Sequence, residues 1–359
     1  MIEQYTIAAT SRYNFPRICM DLKLPQRFLE VSIHSLKSEE KQNFHLGQKL
    51  IQQNSTSAEQ LYTSKINDPI CLNPKTQKTI ISSVDASSIK IGETSKGILI
   101  AIRGASILKN GGNYEYLRLG PFIFHITGEN LKEVYNTLQK VNFPEGNREA
   151  TPGFTQIPLR MASILEKWLQ ETLSRMVTNG IILFDGSLTA GTFDNSTRLL
   201  KEILSSARSR GNIVLAFSKA TTLRLNGYLL PEALHNHKPP CLIELPEIKP
   251  KPPLLLLGDV YVAKLSEGNY AFRLDIDKEI PREKRIEAVE RLLGNDSITQ
   301  SYPETLRLAH ILCTFTASEV IATQRFIQQK YGLKIVSRPD MHRLLFGPFG
   351  KGECRYEAL

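Results

Sequence analysis

From residue 79 the chain alternates short apolar runs with stretches of helical periodicity. TIISSVDA (79–86) is apolar and β-branched, the composition of a buried strand. GILIAIRGASI (97–107) predicts a second strand, KNGGN (109–113) a hairpin turn, and EYLRLGPFIFHIT (115–127) a third strand. A short helix is expected over 129–141 and a loop over 143–153. Ile157, Met161, Ile164, Leu165, Trp168, Leu169, Leu173, Met176 and Val177 then recur at helical spacing, which predicts a helix over 157–177. GIILFDGS (180–187) reads as a strand, 196–210 as a helix closed by Gly211, and NIVLAFSK (212–219) as a fifth strand. The order β-β-β-α-β-α-β predicts an α/β fold: a mixed sheet with helices packed on it.

The flanks are less regular. Residues 1–75 are polar, with helices expected at 22–34 and 39–53, and form a helical N-terminal extension without evident chemistry. A Pro-rich connection is expected at 235–253, and a hairpin from 254–265 and 269–276 around SEGN. PREKRIEAVERLLG (281–294) is an amphipathic helix. Ser301 and Glu304 fit a capping box, which predicts one long helix from 301 to Tyr331, ended by Gly332 and followed by a last strand, LKIVSR (333–338).

Composition narrows the class. With 41% hydrophobic and 23% charged residues, the chain reads as globular rather than disordered. No stretch approaches the ~18 uninterrupted apolar residues of a membrane span. The N-terminus lacks a basic region followed by an apolar core, so no signal peptide is expected. Five scattered cysteines without a CxxC pair read as free thiols in a reducing cytoplasm. The net charge is +9, and residues 76–230 carry +6 of it, a bias toward a polyanionic partner.

Candidate chemistry sits where strands end. Asp85 closes the first core strand in VDAS, and Asp185 closes the fourth in FDGS. In an open sheet such ends share one crevice, and two carboxylates there repel unless a cation joins them. Hard divalent cations, Mg²⁺ or Mn²⁺, take oxygen ligands of this kind. Either Asp alone would more often cap a turn; the pair favours metal. Glu166 lies beside the apolar stripe of its helix, faces the sheet and needs a partner, which such a cation or a nearby base such as Arg160 would supply. Lys219, ending the fifth strand, is placed to touch a phosphate or to lie solvated. His310 sits at the stripe boundary of the late helix, as metal ligand, proton donor or interior histidine. Tyr302 is a phosphate hydrogen-bond donor or a packed aromatic. His235, His237 and Cys241 in HNHKPPC have no second ligand cluster and read as a loop rather than a zinc site. No GxxxxGK[ST] and no GxGxxG after a strand supports ATP or NAD chemistry.

The ordered set SSVDAS, an inner-face Glu before FDGS, LAFSK and SYPETLRLAH resembles the NurA nuclease family over about residues 79–345. The resemblance implies an RNase H-like core at about 76–225, completed by the 300–345 helix and strand within a nuclease domain at 76–349. It further implies a metal-dependent nuclease acting on DNA ends, in double-strand break repair and end resection, with two Mn²⁺ or Mg²⁺ ions about 3.5–4 Å apart. Asp85, Glu166 and Asp185 would hold the metal with His310, while Lys219 and Tyr302 would serve the phosphate. The implied partners are DNA through its backbone, a second copy in a homodimer, and a HerA-type hexameric ATPase. A catalytically silent DNA-binding or assembly subunit of the same fold is the alternative, and another RNase H-like enzyme, a hybrid nuclease or a recombinase, a third.

Overall fold

The computed structural model describes residues 23–37, 60–61, 68–142, 152–192, 195–219, 221, 223–225, 228–229, 234 and 237–336. In chain order the first elements are helix α1 (Lys23–Lys37) and strands β1 (Gln60–Leu61), β2 (Ile70–Cys71), β3 (Ile80–Glu93), β4 (Gly97–Asn110) and β5 (Asn113–Thr127). Helices α2 (Leu131–Asn142) and α3 (Ile157–Met176), strands β6 (Ile181–Asp185) and β7 (Thr189–Ala190), helix α4 (Thr197–Ser209) and strand β8 (Ile213–Ser218) follow. Next come β9 (Arg224–Leu225), β10 (Tyr228–Leu229), β11 (Cys241–Glu244), β12 (Leu255–Leu256), β13 (Gly258–Lys264), β14 (Phe272–Asp277) and α5 (Arg282–Asn295). The short β15 (Ile298–Thr299) and β16 (Tyr302–Pro303) precede α6 (Glu304–Cys313) and α7 (Ala317–Tyr331).

Nine of these strands form one mixed sheet in the order β2-β11-β13-β14-β8-β6-β3-β4-β5. The antiparallel β3-β4-β5 meander supplies one half. Strands β6 and β8 join β3 in parallel, and β14 extends the sheet antiparallel from β8. Parallel strands are covered on both faces, and the side chains sort accordingly. Val84, Ile182, Phe184, Val214 and Ala216 pack with α3 and α4 in one core. Their alternates Ile81, Ile181, Leu183, Leu215 and Phe217 pack with Ala288 and Leu292 of α5 and Leu306 of α6 on the other face. The stripe of α3 is buried as its periodicity requires, and each such side chain contributes roughly 1.5–3 kcal/mol on leaving water. Gly104 lets this helix sit close, since a Cβ there would lie 2.9 Å from the side chains of Leu165 and Leu169.

Helix α1 belongs to the same core as α3. Its Phe28 meets Phe122 and Phe124 of β5 at ring-centroid distances of 5.4 and 5.9 Å. The helix expected at 39–53 lies outside the described residues.

The buried ring of His125 on β5 pairs its Nε2 with Thr94 Oγ1 at 2.8 Å, and its backbone N–H donates to Ser35 Oγ of α1. Burial, helped by the charge of Lys96, lowers this imidazole to about 4. An unfolded chain takes up that proton near 6.5, so between about 6.5 and 4 the unfolded state binds more protons, and stability is lost as the pH drops through this window. Urea denaturation should show a loss of at most about 3 kcal/mol across this window, absent in His125→Gln. An unchanged slope in that variant would assign the acid sensitivity elsewhere.

Three expectations change. The helix expected at 301–331 is two helices, broken at 314–316. Ser301 is not its cap: the residue sits at φ 63° and its hydroxyl accepts the backbone N–H groups of Leu265 and Ser266. The capping box forms instead at Thr316 and Glu319, where α7 begins. Residues 333–336 are not a strand, although the Val336 N–H donates to Glu93 O at 2.7 Å; residues 337–338 lie outside the described residues. Finally, CLIE within the Pro-rich 235–253 stretch is the sheet strand β11, because its apolar side chains enter a core with Val260 and Val262.

No helix among the described residues is long and apolar enough to cross a membrane.

Candidate active site

Parallel pairing of β3 with β6 puts Val84 opposite Phe184, and the next residues are Asp85 and Asp185. Asp185 ends β6, but Asp85 does not end its strand as the sequence predicts: β3 runs on to Glu93 because β4 keeps pairing with it, Asp85 opposite Ala105. Both share the side-chain parity of Ile81 and Ile181 and therefore face the layer that holds α5 and α6. Helix α6 crosses that face of β3. Ser83 Oγ donates to Thr305 O at 2.8 Å, and Ser87 Oγ donates to Cys313 O. The helix thereby presents His310 to Asp85, with Nδ1 2.6 Å from Oδ2. Asp85 is 7% exposed, whereas the His310 side chain is 47% exposed, so the pair opens to solvent on the imidazole side.

Asp185 is held differently. Lys219 Nζ donates to its Oδ2 at 2.6 Å. Burial pushes this carboxyl above the usual carboxylate value, and Lys219 opposes that shift; the neighbouring Asp85 charge pushes it further up. The turn after Asp185 is fixed by three bonds. Gly186 N–H donates to Phe217 O at 2.7 Å, Ser218 Oγ donates to Gly186 O at 2.8 Å, and Leu188 N–H donates to the carboxylate of Asp275 at 2.9 Å. Gly186 stands at φ 117°, a conformation a side chain would strain.

Tyr302 lies in β16, before the helix rather than in its first turn. Its ring packs on Phe217 and Phe272, with Lys219 Nζ 5.5 Å from its centroid. Its hydroxyl is buried without a hydrogen-bond partner among the described residues. Burial, and then the charges of Asp185 and Asp85, raise this phenol, so it remains a proton-bearing donor.

Glu166 lies on α3, the layer on the other face of the sheet. Gln170 Nε2 donates to its Oε1 at 2.9 Å, and its charge contributes to raising the Cys313 thiol. Cys313 is the residue the sequence reading missed. It counted there only among five scattered free thiols, yet it and His310 fall on one face of α6 three positions apart. Ligand atoms of Asp85, His310 and Cys313 lie within 4.8 Å of one another. Asp185 and Glu166 stand outside that circle. His235 lies outside the described residues, and exposed His237, whose carbonyl accepts Lys264 Nζ, joins no ligand cluster among the described residues. Cys71, Cys241 and Cys313 are free thiols.

The Asp85 carboxylate, the His310 imidazole bonded to it and the Cys313 thiol are close enough to share a divalent cation, and the Asp185 carboxylate stands on the adjacent strand.

The sheet half β5-β4-β3-β6-β8, with α3 and α4 on one face and α6 on the other, is an RNase H-like fold. The NurA nuclease from Sulfolobus solfataricus is similar to this chain with a TM-score of 0.51 and 18% identity, over 75% of this chain and 89% of that one. The Bacillus subtilis endonuclease V aligns at a TM-score of 0.34 and 13% identity, over 74% and 88% of the two chains. The C-terminal lobe of a budding yeast Argonaute aligns at 0.32 and 11%, over 71% and 50%. No family model matches the sequence. No curated protein matches it either.

Proposed function

We propose that this chain is a divergent NurA-type, metal-dependent nuclease that hydrolyses phosphodiester bonds at DNA ends, serving end resection in double-strand break repair. The observation that carries the reading is the placing of Asp85 and Asp185 on adjacent parallel strands, each just past the paired Val84 and Phe184, with His310 on the first and Lys219 on the second. Asp85, Asp185 and His310 would hold Mn²⁺ or Mg²⁺, with Glu166 beside them. When bound, the cation supplies positive charge that polarises the scissile phosphate and lowers the pKa of an attacking water.

The chain's own residues do the rest. Lys219 turns from Asp185 to a phosphoryl oxygen as charge builds there. The Tyr302 hydroxyl donates to a second phosphate oxygen. Asp85 holds the His310 ring through Nδ1 and so orients it toward the cation. The basic excess of residues 76–230 holds the DNA backbone without reading sequence, so binding weakens as salt rises. A homodimer and a HerA-type ATPase are the partners that fit a processive end-degrading role.

Linear duplex DNA with Mn²⁺ tests the proposal. The parent protein should shorten it from the ends and leave a covalently closed circle intact, while Asp185→Ala should not. Equal digestion by parent and variant would remove the site from the reaction.

Tyr302→Phe separates chemistry from packing. Removing an unpaired buried hydroxyl should leave the melting temperature unchanged or higher. Loss of a donor to the phosphate should lower kcat by ~10–100-fold. A variant with parental kcat would make Tyr302 a packed aromatic only.

A further inference from the structure

One group at the centre is unused by phosphodiester hydrolysis. Cys313 is fully buried, and its Sγ donates to its own helix at His310 O, 3.2 Å away, while also facing Asp85. Serine or alanine would fill the same helix position. A thiol set between a carboxylate and an imidazole, all three ligand atoms within 4.8 Å, is a donor set for a different kind of ion. Thiolate sulfur is a poor ligand for Mg²⁺ and a strong one for Zn²⁺, Co²⁺ or Cd²⁺. An oxygen, a nitrogen and a sulfur ligand with one open position make a regular zinc coordination set. The exposed side of His310 leaves a path for the ion to enter.

We propose that Asp85, His310 and Cys313 form a thiophilic-cation site that takes Zn²⁺ and thereby blocks the hard-cation centre. As the sulfur–metal bond forms, the S–H bond breaks and its proton leaves to solvent; no electron moves. Because Asp85 serves both ions, Zn²⁺ and Mn²⁺ compete for it. The blocking role rests on the nuclease reading; the binding site does not.

The test uses the full chain loaded with Co²⁺ alone, then Zn²⁺ or Mn²⁺ alone by calorimetry. Thiolate ligation gives an intense near-ultraviolet sulfur-to-cobalt absorption. The parent should show it, and Cys313→Ser should lose it. In the serine variant Zn²⁺ affinity should fall at least ~10-fold while Mn²⁺ affinity changes less than ~3-fold. Cys241 faces Cys71 across the β11–β2 pair, so Cys71→Ser serves as a control that must retain the absorption. Since Cys313 is buried, His310→Gln provides a second variant at an exposed position; it too should weaken Zn²⁺. Absence of the absorption from the parent, or unchanged Zn²⁺ affinity in both variants, overturns the proposal. A parent that binds Zn²⁺ through Cys313 but degrades no DNA with Mn²⁺ would instead overturn the nuclease reading and leave the zinc site standing.

Discussion

Asp85→Asn is expected to lower DNA-end cleavage by at least ~100-fold with little change in stability. The substitution keeps the shape and an oxygen that can accept from Ala86 N–H, which now donates to Asp85 Oδ1 at 2.8 Å. It removes the charge that a cation requires and the carboxylate that faces His310 Nδ1. Calorimetry with Mn²⁺ should lose its binding signal in parallel. An asparagine variant that binds Mn²⁺ and cleaves like the parent would show that the reaction runs elsewhere. Asp185→Asn should be less severe for folding still, because its partner Lys219 is an exposed side chain and exposed ion pairs contribute little.

Asp275→Ala should produce the largest loss of stability, roughly 3–5 kcal/mol. Asp275 is fully buried on β14 and receives Arg273 through two bonds of 2.7 Å, as well as Leu188 N–H. Truncation strands a guanidinium that is itself nearly buried. It also frees the turn that follows Asp185, so activity should fall as well. Urea denaturation of the single variant against the paired Arg273→Leu/Asp275→Leu variant checks the cause. Removing both charges should cost less than removing one, and an equal or larger loss in the pair would assign the effect to packing.

The central strands were legible because their apolar runs are buried on both faces, a pattern that survives without knowledge of partners. Strand ends were harder. Ser87–Ser88 and Lys90 extend β3 past the expected residue 86 only because β4 continues to pair with it. The break in the late helix could have been found, since Thr316 and Glu319 carry the same S/T-x-x-E pattern as Ser301 and Glu304. What separated the two was tertiary: Ser301 bonds to the β13–β14 connection, whereas Thr316 lies free to cap. The break is then reinforced by Arg103 and Arg118, which donate to Thr314 O and Leu312 O and both pair with Glu319. Asp185 and Lys219 were visible where their strands end; Asp85 was read as a strand end too, but β3 runs on past it to Glu93. The tie between Asp85 and His310 spans 225 positions and has no local signature, and Cys313 was hidden by its resemblance to a core residue.

The parallel run of β3 and β6 brings together two acids that are one hundred positions apart in the chain. No fragment that stops before Asp185 or starts after Asp85 contains both. A proteolytic cut anywhere between them would part the two carboxylates onto separate pieces, and under the proposed function only reassociation would restore cleavage.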